Sequence, residues 1–189
     1  MNIYMVGIKG SGMSSLAQIL DDDHYNIVGS DVDKYIFTEE SLLKRNIKIE
    51  SLNSQNYKNA DLLIVGHDFM DNYFLNILRK NNIPFLEYNE FLNFYINKSR
   101  LVSICGSHGK TTLSKMITLI DDKYSYLVGD GEGKKSKNEE FFILESCEYK
   151  NHFLKYNPFF LIITNIDYDH IDYFKNEEEY INSFKKFSY

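Results

Sequence analysis

Short apolar runs alternate with longer amphipathic segments along the whole chain. The apolar runs predict strands at residues 3–6, 26–28, 61–65, 83–86, 101–105, 124–128, 141–144 and 159–164. The amphipathic segments predict helices at residues 13–20, 38–45, 71–81, 87–96, 111–120 and 177–187. Strands that alternate with helices indicate parallel βαβ units, whose buried strands are apolar almost throughout, as residues 159–163 are. The pattern therefore predicts an α/β fold.

A polar stretch at residues 97–100 separates two such sets of elements. We place a domain boundary there, and expect one α/β domain over residues 1–98 and a second over residues 99–189. Eight of the 10 glycines lie in three short stretches, at residues 7–12, 106–109 and 129–133. The first two stretches each join a predicted strand to a predicted helix, which is where backbone N–H groups bind phosphates.

The second glycine loop ends in Gly-Lys-Thr. In such a loop backbone N–H groups surround the phosphates, the lysine neutralises their charge and the threonine hydroxyl ligates Mg²⁺. The spacing departs from the usual motif, because Ile104 stands where the first glycine is expected, and a helix start with a chance Gly-Lys-Thr is the alternative. The strand–loop–helix context favours an ATP site, formed by Gly106, Ser107, His108, Gly109, Lys110, Thr111 and Thr112.

Two later strands end in polar residues. Glu145 follows the strand at residues 141–144, and the segment 165–172, with Asn165 and His170, follows the strand at residues 159–164. Because ligands bind at the carboxyl ends of parallel strands, we expect both segments to converge on the Lys110–Thr111 loop. A carboxylate, an imidazole and a threonine hydroxyl beside phosphates suit a divalent cation.

The first glycine loop, with glycines at residues 7, 10 and 12, is followed 19 residues after Gly12 by Asp31. An acidic residue at about that distance holds a ribose hydroxyl in dinucleotide-binding domains. The order G-x-x-G-x-G differs from the dinucleotide pattern G-x-G-x-x-G, so an NAD-dependent oxidoreductase is disfavoured. We expect a diphosphate at the helix N-terminus; a tight turn without a ligand is the alternative.

Composition excludes several classes of protein. The net charge of −6 and the lack of a basic stripe argue against nucleic-acid binding. No run approaches the ~20 apolar residues of a membrane helix, and the first residues show no signal peptide, so we expect a cytoplasmic protein with no membrane partner. Cys105 and Cys147 are too few for a disulfide framework, and we expect both thiols to be buried.

Taken in order, these motifs resemble the Mur ligase family, and in particular the branch that joins L-alanine to UDP-N-acetylmuramate. The resemblance rests on the following segments: Gly7-Ile8-Lys9-Gly10-Ser11-Gly12-Met13-Ser14, Gly29-Ser30-Asp31, Gly66-His67-Asp68, residues 88–96, Gly106-Ser107-His108-Gly109-Lys110-Thr111-Thr112, Glu145-Ser146-Cys147-Glu148-Tyr149 and Thr164-Asn165-Ile166-Asp167-Tyr168-Asp169-His170. It covers essentially the whole chain. It implies a Rossmann-like N-terminal domain that binds a UDP-sugar, followed by part of a P-loop α/β domain that binds ATP.

The resemblance also implies a reaction and roles for residues. ATP and Mg²⁺ would be used to phosphorylate the lactyl carboxylate of UDP-N-acetylmuramate, and the amine of L-alanine would attack the acyl phosphate. Lys110 would clamp the γ-phosphate with Glu145 and His170 as further catalytic residues, and Asn165 would belong to the ATP site. Metal ligands would be Thr111, Glu145 and His170. UDP-sugar ligands would be Gly10, Ser11, Gly12, Met13, Ser14, Asp31 and His67.

The chain departs from the family in length, because family members continue well beyond the position of Tyr189. We expect a fragment or a truncated homologue that lacks the C-terminal amino-acid-binding domain and is inactive in ligation by itself. Two other functions stay open: a Mur-type ligase for another acid, and a non-catalytic module that binds nucleotides or UDP-sugars.

Overall fold

The computed structural model describes residues 1–70 and 72–188, apart from the side chains of residues 72–74 and 77. The chain forms two compact units. The first contains Met1–Phe94 and Gly129–Lys135, and the second contains Tyr95–Val128 and Ser136–Tyr189. Each unit is built on parallel strands with connecting helices, so the predicted α/β fold is confirmed.

The first unit carries a five-stranded parallel sheet in the order β3-β2-β1-β4-β5. Its elements are β1 (Asn2–Val6), α1 (Ser11–Asp22), β2 (Asn26–Asp31), α2 (Glu39–Lys44), β3 (Lys48–Ser51), β4 (Leu62–Val65), α3 (Asn72–Lys80), β5 (Phe85–Glu87) and the start of α4 (Tyr88–Ile96). The chain moves outward from β1 to β3, then returns to pair β4 with the other side of β1. That reversal beside β1 opens a crevice at the strand ends, where α/β sheets bind ligands.

The middle strands of this unit are buried because both of their faces are covered. Leu63, Ile64 and Val65 of β4 are fully buried, and Tyr4 and Val6 of β1 pack with Leu63 and Val65 in one apolar cluster. Strands in this position need apolar side chains on both faces, which is why the sequence shows continuous apolar runs there.

The second unit carries four neighbouring parallel strands in the order β10-β6-β9-β7. Its elements are β6 (Leu101–Cys105), α5 (Lys110–Thr118), β7 (Tyr124–Leu127), β9 (Phe141–Glu145), β10 (Phe160–Ile163) and α6 (Glu177–Phe187). A 3-10 segment, Tyr149–Lys155, follows β9. Since β6 lies between β9 and β10, the loop after β6 is flanked by the ends of both neighbours.

Helix α6 begins and ends as its sequence predicts. The Asn176 side chain accepts a hydrogen bond from the Glu179 N–H and so caps the first turn. Three glutamates in that turn and two lysines in the last turn match the helix dipole. The buried face carries Tyr180 and Phe184, which pack edge-to-face 5.1 Å apart. Phe184 also packs edge-to-face on Phe153 of the 3-10 segment, with ring centroids 5.2 Å apart, and this contact fixes α6 within the second unit.

The segment Gly129–Lys135 belongs to the first unit, although it lies between β7 and β9 in sequence. Its short strand β8 (Gly133–Lys134) packs on α1. Gln18 donates a hydrogen bond of 2.6 Å to the Gly131 carbonyl, and the Lys135 N–H donates one of 2.9 Å to Asp22. No pattern in the sequence predicted this packing, because glycine-rich polar segments usually form solvated loops.

The elements differ from the sequence-based predictions in a few places. Strand β3 was not predicted, because only Ile49 within it is strongly apolar and the strand lies at the edge of the sheet. Segment Tyr149–Lys155 was not predicted as a helical turn. Asp71, the predicted start of α3, lies outside the described residues. Among the described residues, no helix is long and apolar enough to cross a membrane.

The contact of Gly133 with α1 predicts the effect of adding one methyl group. A Cβ at Gly133 would lie 2.7 Å from the backbone carbon of Ser15, inside van der Waals contact and against atoms that cannot rotate away. Gly133→Ala should therefore destabilise the protein by about 1–3 kcal/mol. Urea unfolding measures this effect. Gly10→Ala is the control, since its Cβ would find ordinary contacts from 3.4 Å, and equal stability of the two variants would contradict the expected clash.

A second prediction concerns acid stability. Burial by itself raises the pKa of Glu50, but hydrogen bonds from Lys48, Ser54 and Asn56 outweigh it and lower that pKa to about 2. A lowered pKa stabilises the fold above the unfolded-state pKa of about 4.3, and this contribution is lost as pH falls toward the folded-state value. Wild-type protein should therefore be more stable than Glu50→Gln at pH 6, with the difference in Tm shrinking between pH 4.5 and about 2. A Tm difference independent of pH would refute this assignment.

Candidate functional sites

A cavity of about 360 Å³ opens at the strand ends of the first unit. Its lining comes from the loop after β1, the end of β2, the turn after β4 and the start of α4, as expected where the strand order reverses. It includes six of the seven predicted UDP-sugar ligands, which are Gly10, Ser11, Gly12, Met13, Asp31 and His67. The first turn of α1 also has no side-chain cap, so its N–H groups are suited to an anion.

Ser14 is the predicted ligand that does not line this cavity. It is fully buried, and its hydroxyl lies 3.3 Å from the Thr38 carbonyl and 3.2 Å from the Gly131 carbonyl. Those contacts tie α1 to two neighbouring loops. Seven further lining residues were not predicted as ligands, namely Gly7, Val32, Ile36, Gly66, Asp68, Phe69 and Tyr88. Gly7, Gly66, Asp68 and Tyr88 lie in segments that carry the family resemblance, whereas nothing in the sequence marked Phe69.

Two charged residues near the first loop hold the loop together. Asp31 accepts hydrogen bonds of 2.7 Å from the N–H groups of Lys9 and Val32, one on each carboxylate oxygen. The ammonium of Lys9 is buried and bonds Glu39 at 2.6 Å and the Val32 and Lys34 carbonyls. The lysine within the glycine loop therefore serves the fold, and the N–H groups suited to an anion are those of the first turn of α1.

The loop after β6 requires glycine at its first position. Gly106 has φ 129°, and a Cβ there would overlap the Thr164 hydroxyl and lie 2.7 Å from the Asn165 carbonyl. The loop therefore passes directly against the residues that follow β10. Helix α5 then begins at Lys110 without a side-chain cap, which leaves N–H groups of its first turn available to phosphates.

Three residues clamp this loop from outside. The Asn165 amide accepts from the His108 N–H and donates to the His108 carbonyl, both at 3.0 Å. The Ser107 hydroxyl contacts the Asp167 backbone at 2.6 and 2.9 Å and the Tyr180 hydroxyl at 2.7 Å. Burial raises the pKa of Tyr180 to about 12, so its hydroxyl stays neutral in this contact. Asn165 and Ser107, both predicted to bind ATP, position the loop in this structure.

Lys110 folds back over its own loop. Its ammonium bonds the Gly106 carbonyl, the Ser107 carbonyl at 3.4 Å and Glu148 Oε1 at 3.2 Å. The next residue, Thr111, donates a 3.0 Å hydrogen bond to Glu145 Oε1. The predicted convergence of the end of β9 on the Lys110–Thr111 loop is thus present.

Glu148 is the site residue that sequence analysis did not single out. Its side chain is 1% exposed, and Oε1 lies 3.2 Å from the Lys110 ammonium and 3.3 Å from His170 Nε2. Among the described residues, its other oxygen, Oε2, has no hydrogen-bond partner. The only signal in the sequence was a second glutamate three residues after Glu145. His170, predicted to act beside Glu145, is paired here with Glu148.

Aromatic contacts orient His170. Its ring lies 4.9 Å from the Tyr149 ring, and the Tyr149 hydroxyl donates a 2.7 Å hydrogen bond to Asp172. This hydrogen bond is the main cause that lowers the pKa of Asp172. The backbone of His170 is left-handed, with φ 54°, a conformation that costs a non-glycine residue free energy and is common at functional sites.

The two cysteines differ from each other. Cys105 is buried at the end of β6, and burial raises the pKa of its thiol to about 12. Cys147 is exposed, which contradicts the prediction that both thiols are buried. The error arose because Cys147 follows an apolar strand, whereas the strand ends at Glu145 and the chain turns outward.

Each unit of this α/β protein thus has a glycine loop between a parallel strand and a helix that begins without a side-chain cap. A model of the Mur ligase family catalytic domain matches residues 2–100, and a model of the Mur ligase middle domain matches residues 130–189. The chain therefore belongs to the Mur ligase family.

Solved structures agree with this assignment. UDP-N-acetylmuramate-alanine ligase MurC from Thermotoga maritima is 26% identical with a TM-score of 0.84, and the match covers 100% of this chain and 47% of that one. UDP-N-acetylmuramate:L-alanyl-gamma-D-glutamyl-meso-diaminopimelate ligase from Neisseria meningitides is 19% identical with a TM-score of 0.84, over 98% of this chain and 67% of that one. Murein peptide ligase from Psychrobacter arcticus is 21% identical with a TM-score of 0.78, and the match covers 99% of this chain and 46% of that one. The last two show a shared fold.

The contrast between the cysteines is directly testable. Burial raises the pKa of both thiols, so the contrast rests on access: exposed Cys147 should react with a thiol reagent such as DTNB in the native protein, and Cys105 should react only after denaturation. We expect one thiol per chain to be titrated at pH 8 without denaturant and two with it. Cys147→Ser should lose the native reaction, and rapid titration of two native thiols would contradict the structure.

Proposed function

We propose that this chain provides the UDP-sugar-binding and ATP-binding parts of a ligase that joins L-alanine to UDP-N-acetylmuramate. The observation that carries the proposal is the convergence of Lys110, Thr111, Glu145, Glu148 and His170 on one phosphate-suited loop. The name of the Thermotoga relative, a UDP-N-acetylmuramate-alanine ligase, supports the choice of substrates. Because the chain spans 47% of that relative, ligation is proposed for the complete enzyme rather than for these residues alone.

ATP phosphates fit the second unit for two reasons. The N-terminus of α5 has no side-chain cap, which leaves N–H groups of its first turn available, and Lys110 places a cation beside them. In phosphoryl transfer the protein mostly positions the reactants and stabilises charge, so a rigid loop is what the chemistry needs. The clamps from Asn165 and Ser107 supply that rigidity.

A magnesium ion fits the oxygens beside this loop. Thr111 Oγ1 and Glu145 Oε1 lie 3.0 Å apart, and hard oxygen ligands of this kind suit Mg²⁺. No group of three His, Cys, Asp or Glu side chains forms a metal cage among the described residues. In proteins Mg²⁺ is usually held by one or two carboxylates, with waters and substrate phosphates as further ligands. When bound, the ion would neutralise charge on the phosphates; Thr111 and Glu145 would hold it, with His170 as a further ligand.

The cavity of the first unit fits the diphosphate of a UDP-sugar. The uncapped first turn of α1 offers N–H groups from Ser11, Gly12 and Met13, and the cavity is bordered by His67. With both Asp31 oxygens on backbone N–H groups, recognition there depends on the backbone conformation that Asp31 maintains. In the proposed reaction the substrate carboxylate would take the γ-phosphoryl group of ATP with release of ADP, and the amine of L-alanine would attack the acyl phosphate to form the amide and release phosphate.

Calorimetric titration with UDP-N-acetylmuramate, and separately with a non-hydrolysable ATP analogue plus Mg²⁺, tests both sites. Lys110→Ala should weaken ATP-analogue binding about tenfold or more, because a charge-assisted contact to phosphate is lost, and should leave UDP-sugar binding unchanged. Gly12→Ala should weaken UDP-sugar binding only, because a Cβ there would lie 2.5 Å from the Tyr88 hydroxyl at the cavity wall.

Lys123→Ala, at an exposed lysine outside the loop, is the matched control and should bind both ligands as wild type does. Failure to bind UDP-N-acetylmuramate with ATP binding intact would reject the substrate assignment and favour a nucleotide-binding module or a ligase for another acid. Equal loss of both ligands in either variant would mean that the change damages the fold rather than one site.

A further inference from the structure

We propose that Glu148 makes phosphate binding at the Lys110 loop depend on a divalent cation, because its carboxylate is the counter-charge that an entering phosphate displaces. This inference rests on the proposed function, in which the Lys110 loop holds the phosphates of ATP. It adds a role for a residue that is neither part of the loop nor one of the oxygens assigned above to Mg²⁺.

The contacts of Lys110 show what must be displaced. An ammonium has three donors, and Lys110 directs them to the Gly106 carbonyl, the Ser107 carbonyl and Glu148 Oε1. A phosphate that binds Lys110 must replace at least one of these acceptors. Glu148 is the anionic one, so it is the acceptor that competes most directly with phosphate for the lysine charge.

Burial makes this competition strong. The Glu148 side chain is 1% exposed, so water screens its charge little, and a buried carboxylate is costly unless it is paired. A phosphate that takes Lys110 away leaves Glu148 with His170 as its remaining charged or polar partner at 3.3 Å and brings a second anion close to it. Metal-free ATP therefore faces like-charge repulsion at the point where it must bind.

The second oxygen of Glu148 points to the way in which this repulsion is relieved. Among the described residues, Oε2 is buried without a hydrogen-bond partner, which is rare for a carboxylate oxygen. An oxygen in that condition is suited to accept a cation that arrives with the phosphates. A divalent cation would compensate Glu148 for the loss of Lys110 and would neutralise the phosphates at the same time.

The test compares binding with and without the cation. ATP and inorganic tripolyphosphate, which needs only the phosphate loop, are titrated calorimetrically into the full chain in excess Mg²⁺ or in EDTA. Wild type should bind at least about tenfold more weakly in EDTA. Glu148→Gln keeps the shape of the side chain and removes its charge. Its metal-free binding should tighten, so that its dissociation constants in Mg²⁺ and in EDTA differ by less than about threefold.

Two variants control for charge and for structure. Glu178→Gln removes one exposed carboxylate from the same unit. It should keep the wild-type ratio of the dissociation constant in EDTA to that in Mg²⁺. Glu148→Asp keeps the charge and should also keep a strong dependence on Mg²⁺. A Glu148→Gln protein that unfolds in urea like wild type but retains the wild-type ratio would overturn the inference, as would loss of the dependence in Glu148→Asp.

A measurement on wild type covers the case in which Glu148→Gln does not fold. With glutamate labelled at the carboxyl carbon, the Glu148 resonance should shift when ATP is added with Mg²⁺, because both the lysine and the cation change its surroundings. An unshifted resonance under saturating Mg²⁺ and ATP would overturn the inference. Absence of any binding of ATP or tripolyphosphate to wild type would instead reject the proposed ATP site itself, so the two failures are distinguishable.

Discussion

The second unit depends on the close approach of the loop after β6 to the residues that follow β10. Gly106 allows this approach, because any side chain there would overlap Thr164. Once the two backbones are in contact, Asn165 can bind both the N–H and the carbonyl of His108, and Ser107 can reach Asp167 and Tyr180. The loop after β6 is therefore held from the neighbouring strand and from α6 before any ligand arrives. Such preorganisation lowers the cost of binding a charged group.

Several residues that look like ligands in the sequence are used to shape the loops. Lys9 lies between two glycines, where a lysine suggests phosphate binding, yet its ammonium is buried on Glu39 and two carbonyls. Asp31 occupies the position of a ribose-binding carboxylate, yet both of its oxygens accept backbone N–H groups. A glycine loop has few side chains of its own to fix its shape, so neighbouring polar residues must supply those contacts.

The sequence predicted the features that repeat locally and missed those that depend on distant contacts. The strand–glycine–helix pattern located both loops, and the rule that parallel strands share one carboxyl edge placed Glu145 beside Thr111. Glu148 was missed because its importance comes from Lys110 and His170, which are far from it in sequence. Segment Gly129–Lys135 was missed for a similar reason: its bonds go to Gln18 and Asp22 on α1, and no local periodicity can report such a partner.

Backbone strain around Glu148 indicates that its position is determined by more than local preference. Lys150 and Asn151, directly after Tyr149, have φ of 52° and 58°, and His170 has φ of 54°. Left-handed backbone costs an ordinary residue about 1–2 kcal/mol, less for Asn. The Asn151 side chain offsets part of this cost, since it donates to the Tyr173 hydroxyl at 3.0 Å and accepts from Ser183 at 2.7 Å. Packing of α6, which carries Ser183, thus holds a strained turn in place, and that turn is what keeps the Glu148 carboxylate buried between a lysine and a histidine.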